Sequence, residues 1–282
     1  MGAVLATSAS SQIKQLRSWV GPRFNVEVGR LVGDFSPFQS GIIEGWSGRD
    51  APTVTDPMEK TFRSSIQRYY EVELPRDHAR GKRWPVLVAL HGYEGDKDSM
   101  MRVAKHIADD KMVVISLQGP FQFFRRLVKN PKNLRVVFGW GTTYKMEDSV
   151  KLHHRDLETV IALAVRKYHA DPERVFLLAF SQACAPNYRY VFTHPHAIRG
   201  AVAVCGGVPG DWNENPHYRS AATEVLHIAA RQDEWYSREK NLEFRRQLGQ
   251  RAASVDFRFY NSTHRFPRQS LPHIRRWIMN RL

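Results

Sequence analysis

A chain of 282 residues, 42% hydrophobic and 25% charged, can bury the core of one large domain, and no apolar stretch is long enough to cross a bilayer. The 42 Lys and Arg outnumber the 28 Asp and Glu, leaving a formal net charge of +14. These cations are spread along the chain without a long basic run, which argues for a solvated basic surface and against a nucleic-acid partner. Cys184 and Cys205 are the two cysteines and make no disulfide framework, which suits a reducing compartment. Met1 to Thr7 carries no basic leader, and Ala6 stands where a myristoylation pattern needs Ser or Thr. The expected location is the cytoplasm, with no stable membrane insertion.

In chain order, residues 1–60 do not follow a regular alternation of strands and helices. Ser10 to Val20 has the pattern of a short amphipathic helix and Phe24 to Val28 that of a strand. Gly33 to Pro57 is rich in Gly, Pro, Ser and Asp and reads as loop. These sixty residues are expected to form an extension packed on a single domain spanning 61–282.

Order begins after Phe62. Gln67 to Leu74 alternates like a half-exposed strand, and Trp84 to Leu90 is a continuous apolar run, as a central parallel strand requires. Met100, Val103, Ala104, Ile107 and Ala108 mark one helix face, with Asp98 or Ser99 as the expected cap. Met112 to Leu117 reads as the next strand. Gln118 to Tyr144 has no period and is expected to be a long irregular passage, with Phe121, Phe123, Phe124 and Trp140 among basic residues.

Leu157, Val160, Ile161, Ala164, Val165 and Tyr168 define a strong helix, which Asp171-Pro172 separates from the apolar run Val175 to Phe180. Strands follow at Ala201 to Cys205, Glu224 to Ala229 and Val255 to Tyr260, with a helix over Ser237 to Leu248 and a closing helix marked by Leu271, Ile274, Trp277 and Ile278. Strands alternating with helices predict a mostly parallel α/β sheet covered on both faces.

The chemistry centres on one serine. The apolar run ending at Phe180 stops at Ser181, and Cys184, Tyr188, Val191 and Phe192 then fall at helical spacing, so the period changes at the serine. Such a turn strains the serine backbone and lifts its hydroxyl above the sheet edge. Alanines, Ala179 and Ala183, stand where the usual pattern has glycines. Pro186 removes a helix hydrogen bond and is expected to delay or kink the helix.

A serine hydroxyl needs a base and a group that orients the base. Asp233 and His264 each follow a predicted strand, at the carboxyl edge where ligands bind in such sheets. Glu234 is a rival acid one position on. His91-Gly92 follows the strand Trp84 to Leu90 and lets backbone approach a reacting carbon. The pairs His153-His154 and His194/His196 have ligand-like spacing but lack a partner set, so no metal is expected. Cys184 reads as a small core residue.

Val86 to Asp96, Phe180-Ser181-Gln182, Arg231-Gln232-Asp233 and Thr263-His264 resemble the phospholipase/carboxylesterase branch of the α/β-hydrolases, which includes acyl-protein thioesterases and lysophospholipases. The likeness runs from about Tyr69 to the C-terminus. It implies an α/β-hydrolase fold and a Ser181-Asp233-His264 triad in that family's chain order. It also implies an oxyanion hole from the backbone N–H groups of Tyr93 and Gln182, with Gly139-Trp140-Gly141 beside the acyl pocket. Trp140 is thus a candidate substrate contact. The expected function is cofactor-free hydrolysis of a small carboxylic ester or thioester. The alternatives are a peptidase or polyester depolymerase on the same fold, or a binding protein without turnover. The basic loop 118–144 is expected to wall the acyl pocket and to favour an anionic leaving portion.

Overall fold

The computed structural model describes residues 59–78, 81–125 and 135–282. The helix and strand expected between residues 10 and 28, like nearly all of the 1–60 extension, lie outside the described residues. The chain divides into two units, Met1–Arg63 and Ser64–Leu282, and the second carries the sheet.

Seven strands form that sheet in the order β1-β3-β2-β6-β7-β8-β9. They are β1 (Tyr70–Glu73), β2 (Trp84–Leu90), β3 (Val113–Leu117), β6 (Ala170–Phe180), β7 (Gly200–Val204), β8 (Ala221–Ala230) and β9 (Ala252–Tyr260). Only β1 is antiparallel to its neighbour; the other six strands run parallel. Parallel strands need crossovers; α1 (Lys97–Ala108), α2 (Met146–Tyr168), α3 (Cys184–Thr193) and α4 (Arg238–Gly249) supply helical ones, and α5 (Leu271–Met279) follows the last strand.

The period-2 alternation of β2 divides its side chains between two cores. Trp84, Val86, Val88 and Leu90 face a core shared with Leu157 and Val160 of α2, Tyr188 and Phe192 of α3, and Phe244 of α4. Leu87 and Ala89 face the other, with Met101 and Ile107 of α1 and Ile274 and Trp277 of α5. Burial on both faces explains the unbroken apolar run.

Three local expectations differ from the structure. The α1 cap is Asp96, earlier than Asp98 or Ser99: its carboxylate accepts the Ser99 N–H at 2.7 Å. The passage 118–144 is not irregular throughout, because β4 (Phe121–Arg125) and β5 (Arg135–Gly139) pair as an antiparallel hairpin. Cross-strand pairing of aromatic and β-branched residues such as Phe123 with Val137 replaces the missing amphipathic alternation. Asp171-Pro172 does not end a segment before β6. Register slips between Trp84/Ala170 and Val86/Val175, so β6 bulges there, and Asp171 closes the bulge on Glu173 N–H at 3.0 Å and Arg174 Nε at 2.8 Å.

Two buried histidines make the fold acid-sensitive. Burial pushes the His227 imidazole down to about 3, and burial with the neighbouring His154 does the same to His153. Both rings are neutral in the fold but protonate near the ordinary value of about 6.5 once unfolded. Below that value the unfolded chain binds more protons, so stability falls as pH drops from about 6.5 toward 4. His227 stacks on Phe257 at 4.7 Å and meets Tyr188 Oη through Nδ1 at 3.0 Å. His227→Phe will lower Tm at neutral pH by leaving that hydroxyl unpaired, yet flatten the loss of stability between pH 6.5 and 4. Denaturant titrations across that range check it; an unchanged slope refutes the role of this ring.

Candidate active site

The chain builds β2 and β3, then crosses to lay β6 on the opposite side of β2. The loops leaving the carboxyl ends of β2 and β6 therefore diverge and open a crevice, the usual ligand position in such sheets. His91 follows β2 there, and Ser181 follows β6.

Ser181 has φ 52°, a left-handed conformation costly for a residue with a Cβ. A single 3₁₀ turn, Ser181–Ala183, precedes α3, and the helix begins at Cys184. Pro186 thus falls in the first turn of α3, where its missing N–H would have no intrahelical partner. Ala183 takes φ −70° and ψ −14°, open to any L-residue, so it needs no glycine. A close approach to the turn is made by Gly206, after β7: a Cβ there would lie 2.4 Å from Cys184 Sγ and 2.5 Å from the Ser181 carbonyl oxygen. Gly206→Ala must push the turn away from β7. We expect it to cost about 1–3 kcal/mol of stability or more by overpacking, with loss of reactivity at Ser181. Parental Tm and probe labelling would contradict that geometry.

The structure brings Ser181, His264 and Asp233 together from the ends of three strands. Ser181 Oγ lies 2.7 Å from His264 Nε2. His264 Nδ1 is 3.0 Å from each carboxylate oxygen of Asp233, whose side chain is 1% exposed. Asp233 Oδ1 also accepts the N–H groups of Trp235 and Tyr236 at 2.9 and 3.1 Å, so the carboxylate is held before it meets the ring. Glu234 turns elsewhere. Its Oε2 accepts the backbone N–H of His264 at 2.7 Å, and that bond holds its carboxyl below the usual range.

Across the crevice, Gly92 abuts the serine: a Cβ on it would meet Phe180 Cδ1 at 2.7 Å and Ser181 Cβ at 3.2 Å. Only glycine lets the backbone leading to Tyr93 come so close. The His91 side chain, which the sequence does not single out, pins this loop. Gly119 N–H donates to Nε2 at 2.9 Å, so Nδ1 carries the proton and donates to Gly92 O at 2.7 Å. Burial lowers the His91 pKa and keeps that neutral tautomer. Trp140 Nε1 donates to His91 O at 2.7 Å. Gln182 adds a second clamp, its Oε1 accepting Trp140 N–H and its Nε2 donating to Gly141 O, both at 2.9 Å.

Trp140 is buried and also lines a cavity of about 200 Å³ beside the turn, with Met146, Val150, Ala185, Pro186 and Pro209. Of the aromatics expected around this pocket, Phe121 and Phe124 are exposed, and Phe123 stacks on Tyr93 at 4.9 Å. Of the loop cations, Arg125 pairs with Glu94 at 2.7 Å and Arg135 with Asp96 at 3.5 Å. Both therefore fasten the hairpin to the loop after β2. Arg126, Lys129 and Lys132 lie outside the described residues.

Cys184 is fully buried and burial raises its thiol far above the usual range, which makes it a core residue without thiolate character. Among the described residues, no three His, Cys, Asp or Glu are grouped so as to hold a metal ion, and no helix is long and apolar enough to cross a membrane.

Strand order, crossovers and the strained serine after the central strand decide the architecture. The chain has the α/β-hydrolase fold. No family model and no curated protein sequence matches it. Solved structures do. A carboxylesterase from Bacillus cereus is 20% identical, with TM-score 0.58 over 76% of this chain and 95% of its own. A phospholipase/carboxylesterase from Dyadobacter fermentans is 16% identical, with TM-score 0.58 over 77% and 99%. A variant of SOBER1 from Arabidopsis thaliana is 19% identical, with TM-score 0.54 over 70% and 98%. At these identities the likeness establishes the hydrolase fold. The mostly parallel sheet expected from the sequence is the one observed.

Proposed function

We propose that this α/β-hydrolase-fold chain is a serine esterase or thioesterase, and that it cleaves small acyl substrates through an acyl-enzyme. The observation that carries the reading is the unbroken line from Ser181 Oγ through His264 to a buried Asp233, with bonds of 2.7 and 3.0 Å. Three strand ends are constrained at once to make it, and a structural role needs none of that precision. The carboxylesterase and phospholipase names of the fold neighbours support the same chemistry.

In this mechanism His264 Nε2 takes the proton as Ser181 Oγ attacks the acyl carbonyl. Asp233 keeps the proton of Nδ1 in place and stabilises the imidazolium. The N–H groups of Tyr93 and Gln182 receive the oxyanion, at roughly 3–4 kcal/mol per donor. His264 then gives its proton to the leaving oxygen or sulfur, and water releases the acyl group by the same route. No cofactor enters this scheme. Trp140 acts as a wall of the acyl pocket and, through its bond to His91 O, as a brace for the oxyanion loop.

A fluorophosphonate probe tests the proposal, because only an activated serine reacts with it. Stoichiometric labelling at Ser181 together with turnover of p-nitrophenyl acetate is the expected result. A folded chain that neither labels nor turns over any ester would leave a binding protein.

A further inference from the structure

We propose that the acyl chain of the substrate ends in a carboxylate held in a second cavity beyond the acyl pocket, so that the preferred substrates are half-esters of dicarboxylic acids. This rests on the hydrolase reading above and narrows its substrate class.

The direction follows from the proton path. The leaving group must lie on the His264 side to receive its proton, and the rings around His264 are Phe180, Trp235 and Tyr236, at 5.7 to 6.2 Å. None of these lines the cavity beside Gln182, Ala185 and Pro186. That cavity is therefore the acyl side. Val150 and Arg189 on its wall also line a second cavity of about 360 Å³.

The second cavity has the chemistry of an oxyanion site. His154, Arg189, His194, His217 and Arg219 line it, and no Asp or Glu does. Two acids stand nearby: Asp211 neutralises Arg189 at 2.7 Å, and Glu158 approaches His194 Nε2 at 3.6 Å. Arg219 has no carboxylate partner among the described residues, and His154 Nε2 is buried without a hydrogen-bond partner. Burial first, and then the neighbouring His194 and Arg189, push His154 down to about 4, so its ring is neutral at neutral pH. A buried ring nitrogen without a partner is costly unless a ligand supplies acceptors, and the solvent-exposed Arg219 lines the same cavity. A carboxylate supplies them. The reaction balances as simple hydrolysis: water adds across the acyl bond, giving a dicarboxylate and the free alcohol or thiol.

The test compares p-nitrophenyl half-esters of succinic to sebacic acid with neutral p-nitrophenyl esters of equal chain length, using the full chain at pH 7.5. At one or more lengths the half-ester should have a kcat/KM about tenfold above its neutral match, the scale of a hydrogen bond to a charged group. In Arg219→Ala/His217→Ala that ratio should fall to about one, and added salt should lower it in the parent. Neutral esters turned over with no half-ester preference at any length would overturn this proposal and leave the esterase reading standing. A preference unchanged in the double variant would overturn the assigned site. No turnover of either series, with no labelling of Ser181, would overturn both.

Discussion

Ser181→Ala will lower ester turnover by about 10⁶, the scale on which serine triads lose their nucleophile, and abolish fluorophosphonate labelling. Stability should stay close to that of the parent, because the Ser181 Cβ that sits against Gly92 is kept. Ser181→Gly makes the complementary case. The left-handed φ of 52° at this position suits glycine, so the variant should be equally inactive yet up to about 1 kcal/mol more stable. Loss of activity with gain of stability would mark the strain as functional. A labelled Ser181→Ala protein would move the nucleophile elsewhere.

Asp233→Asn will lower kcat by about 10⁴, and Glu234→Gln by less than tenfold. Both Asp233 oxygens face His264 Nδ1, and two backbone N–H groups already anchor the carboxylate. An amide there keeps the shape but presents its NH₂ to the ring and selects the wrong tautomer. Glu234 accepts only the main-chain N–H of His264, a bond that Gln retains through its carbonyl oxygen. Steady-state kinetics on the two variants decides between the neighbouring acids. A large loss in Glu234→Gln with little in Asp233→Asn would reverse their roles.

Much of the architecture is legible in the sequence because burial writes a simple pattern. A strand covered on both faces must be apolar throughout, and Trp84 to Leu90 and Val175 to Phe180 are. The change of period at Ser181 marks the turn for the same reason: the residues before it serve a sheet and those after it a helix. Strand-end positions for Asp233 and His264 follow once the strands are read. The hairpin Phe121–Gly139 does not show this way, because its strands lie outside the main sheet and bury only Val137 and Gly139.

Sequence by itself determined the α/β alternation, the strained serine, and a short list of partners in the right chain order. Only the tertiary structure decided which acid meets the imidazole, since Asp233 and Glu234 are adjacent in the chain and their side chains diverge in space. It alone revealed that the neutral His91 side chain pins the loop after β2, and that Gly206 gives the serine turn its clearance. These are contacts between segments far apart in sequence. Local period and composition record whether a residue is buried, but not which distant atom it will touch.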